Sequence, residues 1–274
     1  MNYIKDTNKK RVTVEVLKIM KQQKQKICCL TAYDALFARI FEEAGIDLIL
    51  VGDSLANVFQ GKETTLSVTL DEIIYHTKAV KKGANNTFIV ADMPFMTYQI
   101  TPDKALKNAG KLLKETACNA VKLEGCTTKI IQAIEYMNET GIPVMGHLGL
   151  TPQSINKFGN YKTRGIEKNE AKKIIDDAYK LEKAGVFAIV LEKIPSSLAK
   201  EISENISIPT IGIGAGNCCD GQILVCSDML GLNIDFAPRF VRRYSELYDT
   251  VKNAVNNYSN DVRDTKFPNE NESY

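Results

Sequence analysis

Five segments of the sequence end in the same way: an apolar run leads into a side chain that can bind a metal ion or move a proton. These side chains belong to Asp53, Asp92, Glu124, His147 and Glu192. Short runs of Leu, Ile and Val bounded by turn signals are typical of strands covered on both faces, as in a parallel sheet. An ionisable group at the end of such a strand is costly unless it is paired. The repetition of such a group at the ends of five strands therefore indicates one functional site.

The carboxylates of Asp53, Asp92 and Glu124 predict a metal site. Hard oxygen ligands of this kind suit Mg²⁺, which keeps some of its waters and takes further ligands from a substrate. Three uncompensated carboxylates would repel one another, and a cation between them is the simplest resolution. The structural alternative is that each acid pairs with a basic neighbour as scaffolding.

Three other residues are candidates for substrate binding or proton transfer. Lys122 lies two residues before Glu124, on the same face of its strand. It is suited to a substrate carboxylate or an enolate oxygen, to a Schiff base, or to a simple salt bridge with Glu124. His147 is one of only two histidines and ends a strand, whereas His76 lies within a helical pattern and is assigned to structure. Glu192, distant in sequence from the predicted metal acids, is the candidate base.

The segments between these residues predict the elements that position them. Eight strands are expected, beginning near residues 26, 46, 88, 120, 143, 188, 209 and 222. Strands that alternate with helices imply parallel pairing, and eight repeats fit a (β/α)₈ TIM barrel. A doubly wound open sheet is the alternative, because the link into the eighth strand is short. Apolar residues recur from Val12 to Met20 and predict an N-terminal helix that closes one end of the barrel.

Length and composition set the limits on organisation and partners. The 274 residues predict a single barrel domain over residues 1–274, with a core at about 26–245 and a polar, frayed tail at about 257–274. The net charge is +2, without a long basic run, so nucleic acid is not an expected partner. The seven cysteines show no CxxC spacing, and no stretch approaches the roughly 20 apolar residues of a membrane span. We expect a cytoplasmic protein with no membrane partner.

Several motifs occur in an order that resembles one known family. They are LTAYD from Leu30, VGDSL from Val51, ADMPFMTY from Ala91, VKLEG from Val121, GHLGLTPQ from Gly146, LEKIP from Leu191, and IGIGAG followed by DGQILV. From about Ile27 to Tyr244 the chain resembles the ketopantoate hydroxymethyltransferases, also called 3-methyl-2-oxobutanoate hydroxymethyltransferases. The resemblance implies a (β/α)₈ barrel, Mg²⁺, and transfer of a hydroxymethyl group from 5,10-methylenetetrahydrofolate to 3-methyl-2-oxobutanoate. The product would be ketopantoate, a precursor of pantothenate and coenzyme A.

The resemblance also implies roles for individual residues. The metal-site acids would be Asp53, Asp92 and Glu124. The keto-acid contacts would be Asp53, Ser54, Asp92, Lys122 and His147, and the catalytic base would be Glu192. After VGDSL the family usually has Gly-Met, whereas this chain has Ala56-Asn57 in a predicted loop that would border the folate pocket. The family forms large homo-oligomers, often decamers, so we expect a homo-oligomer.

Three other functions agree with part of the sequence. A Schiff-base aldolase would use Lys122 without a metal. A serine esterase of the GDSL type would use Ser54 as its nucleophile, but no histidine follows His147 to complete a triad. A non-catalytic barrel would serve as a scaffold, although all seven predicted site residues are present.

Overall fold

A computed structural model describes residues 11–235 and 237–274 of the chain. This part contains eight strands: β1 (Ile27–Thr31), β2 (Leu48–Val51), β3 (Phe88–Asp92), β4 (Ala120–Glu124), β5 (Val144–Gly149), β6 (Ala188–Glu192), β7 (Thr210–Ile213) and β8 (Gly221–Leu224). Its α-helices are α1 (Val14–Gln22), α2 (Ala35–Glu43), α3 (Leu55–Val58), α4 (Leu70–Gly83), α5 (Pro102–Thr116), α6 (Thr128–Glu139), α7 (Ile155–Phe158), α8 (Lys168–Lys183), α9 (Ser196–Asn205), α10 (Cys226–Met229) and α11 (Leu247–Arg263).

The eight strands form a closed barrel in which each strand pairs in parallel with its neighbours in sequence, and β8 pairs with β1. This confirms the predicted (β/α)₈ barrel and excludes the open sheet. The strand register places Asp92 opposite Lys122 and Glu124 opposite His147. The carboxyl ends of neighbouring strands therefore carry the predicted site residues side by side.

Helix starts follow the capping residues of the sequence. The Asp34 side chain accepts hydrogen bonds from two backbone N–H groups in the first turn of α2. Thr101 caps α5, which begins at Pro102, a residue already suited to the first helical turn. Thr69 and Glu72 form a reciprocal capping box at the start of α4. These local signals fix where the helices between the strands begin.

The predicted N-terminal helix closes the barrel at the amino ends of the strands. Leu17 of α1 is 1% exposed and packs in the same apolar cluster as Ile27 and Phe88, the first residues of β1 and β3. Lys21 of α1 donates to the backbone oxygen of Ile208 at 2.9 Å and forms an ion pair with Asp220 at 2.8 Å. Apolar packing by Leu17 and the ion pair of Lys21 thus hold α1 over the end of the barrel that lies away from the predicted site.

Two segments differ from the sequence prediction. Ala56 and Asn57 lie in the one-turn helix α3, where a loop was expected, and the Asn57 amide donates to the backbone oxygen of Lys62. The segment expected to be frayed from about residue 257 is helical as far as Arg263.

The residues from Val225 onward form a compact unit of their own, separate from the unit that ends at Leu224. Within the described residues, no helix is both long and apolar enough to cross a membrane.

The packing of α1 predicts that Leu17→Ala lowers the free energy of unfolding by about 2–5 kcal/mol, because it leaves a cavity in the buried apolar cluster. Ile19→Ala on the same helix is the matched control, since Ile19 is 38% exposed, and should cost about 1 kcal/mol or less. Urea unfolding of both variants measures the difference. Equal losses would show that α1 does not seal the barrel.

Candidate active site

Lys122 is the centre of the buried charge cluster at the carboxyl ends of the strands. Its Nζ lies 2.6 Å from Asp92 Oδ1 and 3.8 Å from Glu124 Oε1. Burial by itself would lower the pKa of the ammonium group, but the carboxylates of Asp92, Glu124 and Asp53 outweigh burial and raise it. Lys122 is therefore a cation at neutral pH, which does not suit a Schiff-base nucleophile.

His147 lies between two carboxylates from neighbouring strands. Its Nδ1 is 3.3 Å from Glu124 Oε1, and its Nε2 is 3.2 Å from Glu192 Oε2. Neither contact has the alignment of a hydrogen bond, so both are ion-pair contacts. Burial opposes the charged ring, but the two carboxylates raise the pKa of His147 to about 9. In return, although burial favours a higher value, the contacts with His147 and Lys122 lower the pKa of Glu124.

Glu192 ends β6 and has the most exposed side chain among these ion pairs, at 18% against 3% for His147. Its position depends on a close approach between β5 and β6. Gly149 has φ +95°, and a Cβ there would lie 2.2 Å from the Glu192 carbonyl oxygen. That same oxygen accepts a hydrogen bond from the Leu150 N–H. Only glycine fits at position 149. Because glycine has no side chain, the end of β5 can lie close to β6, and the residue after it can hold the backbone of Glu192 at the barrel mouth.

Asp53 joins the cluster through its backbone and its side chain. Its N–H donates to Asp92 Oδ2 at 3.2 Å, and its Oδ2 accepts from the Gln153 amide at 3.0 Å. Burial, followed by the charges of Asp92 and Glu124, raises the pKa of the Asp53 carboxyl well above its usual range. The three acids thus lie close enough for the charges of Asp92 and Glu124 to act on Asp53.

Ser54 lies beside this cluster but does not contact a histidine among the described residues. Its Oγ is 2.8 Å from the Tyr33 hydroxyl oxygen, and either group can donate that hydrogen bond. His76, assigned to structure, is buried with Nδ1 2.7 Å from the backbone oxygen of Tyr33. Because the Ser54 hydroxyl has no hydrogen bond to a histidine base within the described residues, the geometry does not fit a serine esterase.

The carboxylate oxygens of Asp53, Asp92 and Glu124 are a donor set that fits Mg²⁺, although the three side chains do not already stand in coordination geometry. Within the described residues, no group of three His, Cys, Asp or Glu side chains stands in metal-binding geometry. Lys122, Gln153 and His147 each lie against one of the acids. The buried oxygen Glu124 Oε1 nevertheless has no hydrogen bond. A divalent cation would bind this oxygen, which has ion-pair contacts but no hydrogen bond, and would relieve the mutual repulsion of the acids.

Two residues of the cluster have no predicted role. Gln153 donates to Asp53, and Tyr98 accepts a hydrogen bond from the Glu124 N–H at 3.0 Å. Both lie inside motifs quoted above, GHLGLTPQ and ADMPFMTY, and both follow strands β5 and β3 closely. Their place in those motifs was the only signal, because neither residue type suggests metal or proton chemistry by itself.

Comparison with known proteins shows the family of the chain. The model of the ketopantoate hydroxymethyltransferase family matches residues 11–270. A 3-methyl-2-oxobutanoate hydroxymethyltransferase of Chlorobaculum tepidum is 55% identical over 267 residues, which cover 96% of each chain. The chain belongs to the ketopantoate hydroxymethyltransferase family. Another relative with this name, from Flavobacterium johnsoniae, is 52% identical and covers 97% of each chain.

Solved structures place the family fold among other barrels. A phosphonopyruvate hydrolase in complex with oxalate and Mg²⁺ superposes with a TM-score of 0.62 at 10% identity, over 95% of this chain and 93% of that one. A 2,3-dimethylmalate lyase of the PEP mutase/isocitrate lyase superfamily gives 0.59 at 14% identity, over 95% and 91%. At these identities the likeness is one of fold alone.

The raised pKa of His147 predicts a pH-dependent contribution to the stability of the metal-free protein. A group whose pKa is higher in the folded state stabilises fully below its unfolded value of about 6.5, and this stabilisation is lost as pH rises through about 9. Wild type should therefore exceed His147→Gln by an amount that shrinks over this range, on the order of 3 kcal/mol or less. Urea unfolding at several pH values measures the gap. A gap that stays constant or widens with pH would contradict the assignment.

Proposed function

We propose that this family member transfers a hydroxymethyl group from 5,10-methylenetetrahydrofolate to 3-methyl-2-oxobutanoate and forms ketopantoate. Membership of the family supports the reaction class. The observation that carries the proposal is the ordered line of charges across the barrel mouth, from Asp92 through Lys122, Glu124 and His147 to Glu192. This line sets the cations of Lys122 and His147 beside two acids, Asp92 and Glu124, and ends at the partly exposed carboxylate of Glu192.

The reaction needs the C3 proton of a keto acid to be removed, which leaves negative charge on the keto oxygen. Asp53, Asp92 and Glu124 are the residues that would hold Mg²⁺. When bound, Mg²⁺ would act as a Lewis acid that stabilises that oxygen charge. The ammonium group of Lys122, buried and held by Asp92, is a preorganised positive charge for the substrate carboxylate or the same oxygen. Ser54, held by Tyr33, supplies a hydroxyl beside this position.

Glu192 is the base in this proposal. Its carboxylate is partly exposed and contacts His147, and its backbone carbonyl is held by the N–H of Leu150 after β5. It accepts the C3 proton, and C3 attacks the methylene carbon carried by folate. The carbon–carbon bond forms as one of the two carbon–nitrogen bonds of that methylene breaks, and the released nitrogen takes a proton. Hydrolysis of the second carbon–nitrogen bond by water leaves the hydroxyl on the transferred carbon and releases ketopantoate and tetrahydrofolate. The protonated His147 keeps the Glu192 carboxylate oriented toward the substrate position.

Glu192→Gln should reduce ketopantoate formation by about 10²–10⁴-fold, because the amide cannot accept the C3 proton. The measurement is product formed from the two proposed substrates, with Mg²⁺ and with EDTA. Glu201→Gln is the control, since Glu201 is an exposed acid on the helix that follows β6. EDTA should abolish product with wild type. Full activity of Glu192→Gln, or full activity in EDTA, would contradict the mechanism.

A Schiff-base aldolase would form a covalent adduct between Lys122 and the keto acid, whereas the proposed mechanism forms none. Because Lys122 is protonated and paired with Asp92, sodium borohydride in the presence of 3-methyl-2-oxobutanoate should leave the mass of the wild-type protein unchanged. Mass spectrometry of the intact protein measures this. A covalent adduct that forms with wild type and disappears with Lys122→Met would establish the Schiff-base lysine instead.

A further inference from the structure

The Gln153 side chain uses all of its hydrogen-bonding capacity at the barrel mouth. Its Nε2 donates to Asp53 Oδ2 and to the backbone oxygen of Met93, each at 3.0 Å. Its Oε1 accepts from the Tyr98 hydroxyl at 2.8 Å and from the Gln99 amide at 3.0 Å. A carboxamide has two donor hydrogens and two acceptor positions, so each is occupied. The side chain is also only 5% exposed, which makes every one of these bonds costly to lose.

This network determines which way the amide faces. The Met93 carbonyl can only accept, so the amide nitrogen must lie on that side. The Tyr98 oxygen accepts the Glu124 N–H, and its hydroxyl donates to Gln153 Oε1 at 2.8 Å, a shorter bond than its 3.4 Å contact with the Glu124 carbonyl oxygen. Tyr98 is 1% exposed, so its ring is fixed by packing. Tyr98 therefore fixes the direction in which Gln153 presents its N–H to Asp53.

Gln153 also reaches a second acid through its backbone. Its N–H donates to Glu124 Oε2 at 3.0 Å, while its side chain holds Asp53. Asp53 follows β2 and Glu124 ends β4, and β3 lies between these strands in the barrel. Backbone pairing therefore does not directly connect the two acids. One residue from the loop after β5 spans the distance between them.

We propose that Gln153 is a positioning residue that sets the separation of Asp53 and Glu124 for metal binding, with Tyr98 fixing its orientation. The inference rests on the metal site of the proposed function and adds two residues to it. A neutral donor suits this role: a lysine would place a competing positive charge beside Asp53, and a glutamate would lose the hydrogens that hold Asp53 and Met93. Partners of this kind around metal ligands orient the ligands and tune affinity.

The test measures the affinity of the metal-free enzyme for Mn²⁺, as a spectroscopic substitute for Mg²⁺, by the EPR signal of free Mn²⁺ without substrates. Gln153→Met keeps the side-chain volume and removes the hydrogen bonds, and should weaken binding about 10- to 100-fold. Tyr98→Phe removes only the hydroxyl and should weaken binding in the same direction by a smaller factor. Thr77→Val is the matched control, because Thr77 is a fully buried hydroxyl that bonds only within its own helix.

Thermal unfolding of each variant separates positioning from stability. The inference is supported if both site variants lose Mn²⁺ affinity beyond Thr77→Val, and if the double variant loses less than the product of the single losses, as residues acting in one network do. It is overturned if the two variants lose stability but bind Mn²⁺ like wild type. If Gln153→Met does not fold, Tyr98→Phe alone decides between these results. If wild type itself binds no Mn²⁺, the proposed metal site and this inference both fail.

Discussion

The buried ion pair between Lys122 and Asp92 is the interaction on which the rest of the site depends. At 2.6 Å, with both side chains 4% exposed or less, it places full charges where desolvation is expensive. Such a pair persists only when further charges and hydrogen bonds compensate it. Glu124 and His147 supply them and extend the pair into a line that reaches Glu192. Removing either partner of the pair would leave an uncompensated charge in the barrel mouth.

The closed barrel is what makes this line of charges possible. Parallel pairing brings the carboxyl ends of all eight strands to the same end, and the register sets Asp92 against Lys122 and Glu124 against His147. The opposite end is apolar and is sealed by Leu17 of α1. The two ends of the barrel thus differ in role. The end covered by α1 contributes apolar burial to stability, whereas the carboxyl ends of the strands carry the charged site residues, whose burial costs stability.

The sequence predicted the parts that depend on short-range patterns. Strands β3 and β4 match their predicted bounds because each apolar run ends at a single acid, Asp92 or Glu124. Helix α3 was missed because four residues are too few to show a helical period. The helix beyond Asn257 was missed because its polar, Asn-rich composition outweighed the apolar spacing of α11. Composition is a weaker signal than periodicity in such a segment.

The contacts between site residues could be predicted only in part. Convergence of the acids followed from their places at strand ends, and Lys122 on the same face as Glu124 followed from the two-residue period of a strand. The role of Gln153 could not be predicted, because it depends on hydrogen bonds to residues 29 and 100 positions away along the chain. Side-chain networks across a barrel mouth leave no local pattern in the sequence.

In the proposed reaction, the charged line activates C3 of a keto acid, with Glu192 as the base. The most direct test is proton NMR of 3-methyl-2-oxobutanoate in D₂O with the enzyme and Mg²⁺, without folate. We expect wild type to replace the C3 hydrogen by deuterium and Glu192→Gln to do so at least about 10²-fold more slowly. Exchange at the same rate in both proteins would contradict this role of Glu192.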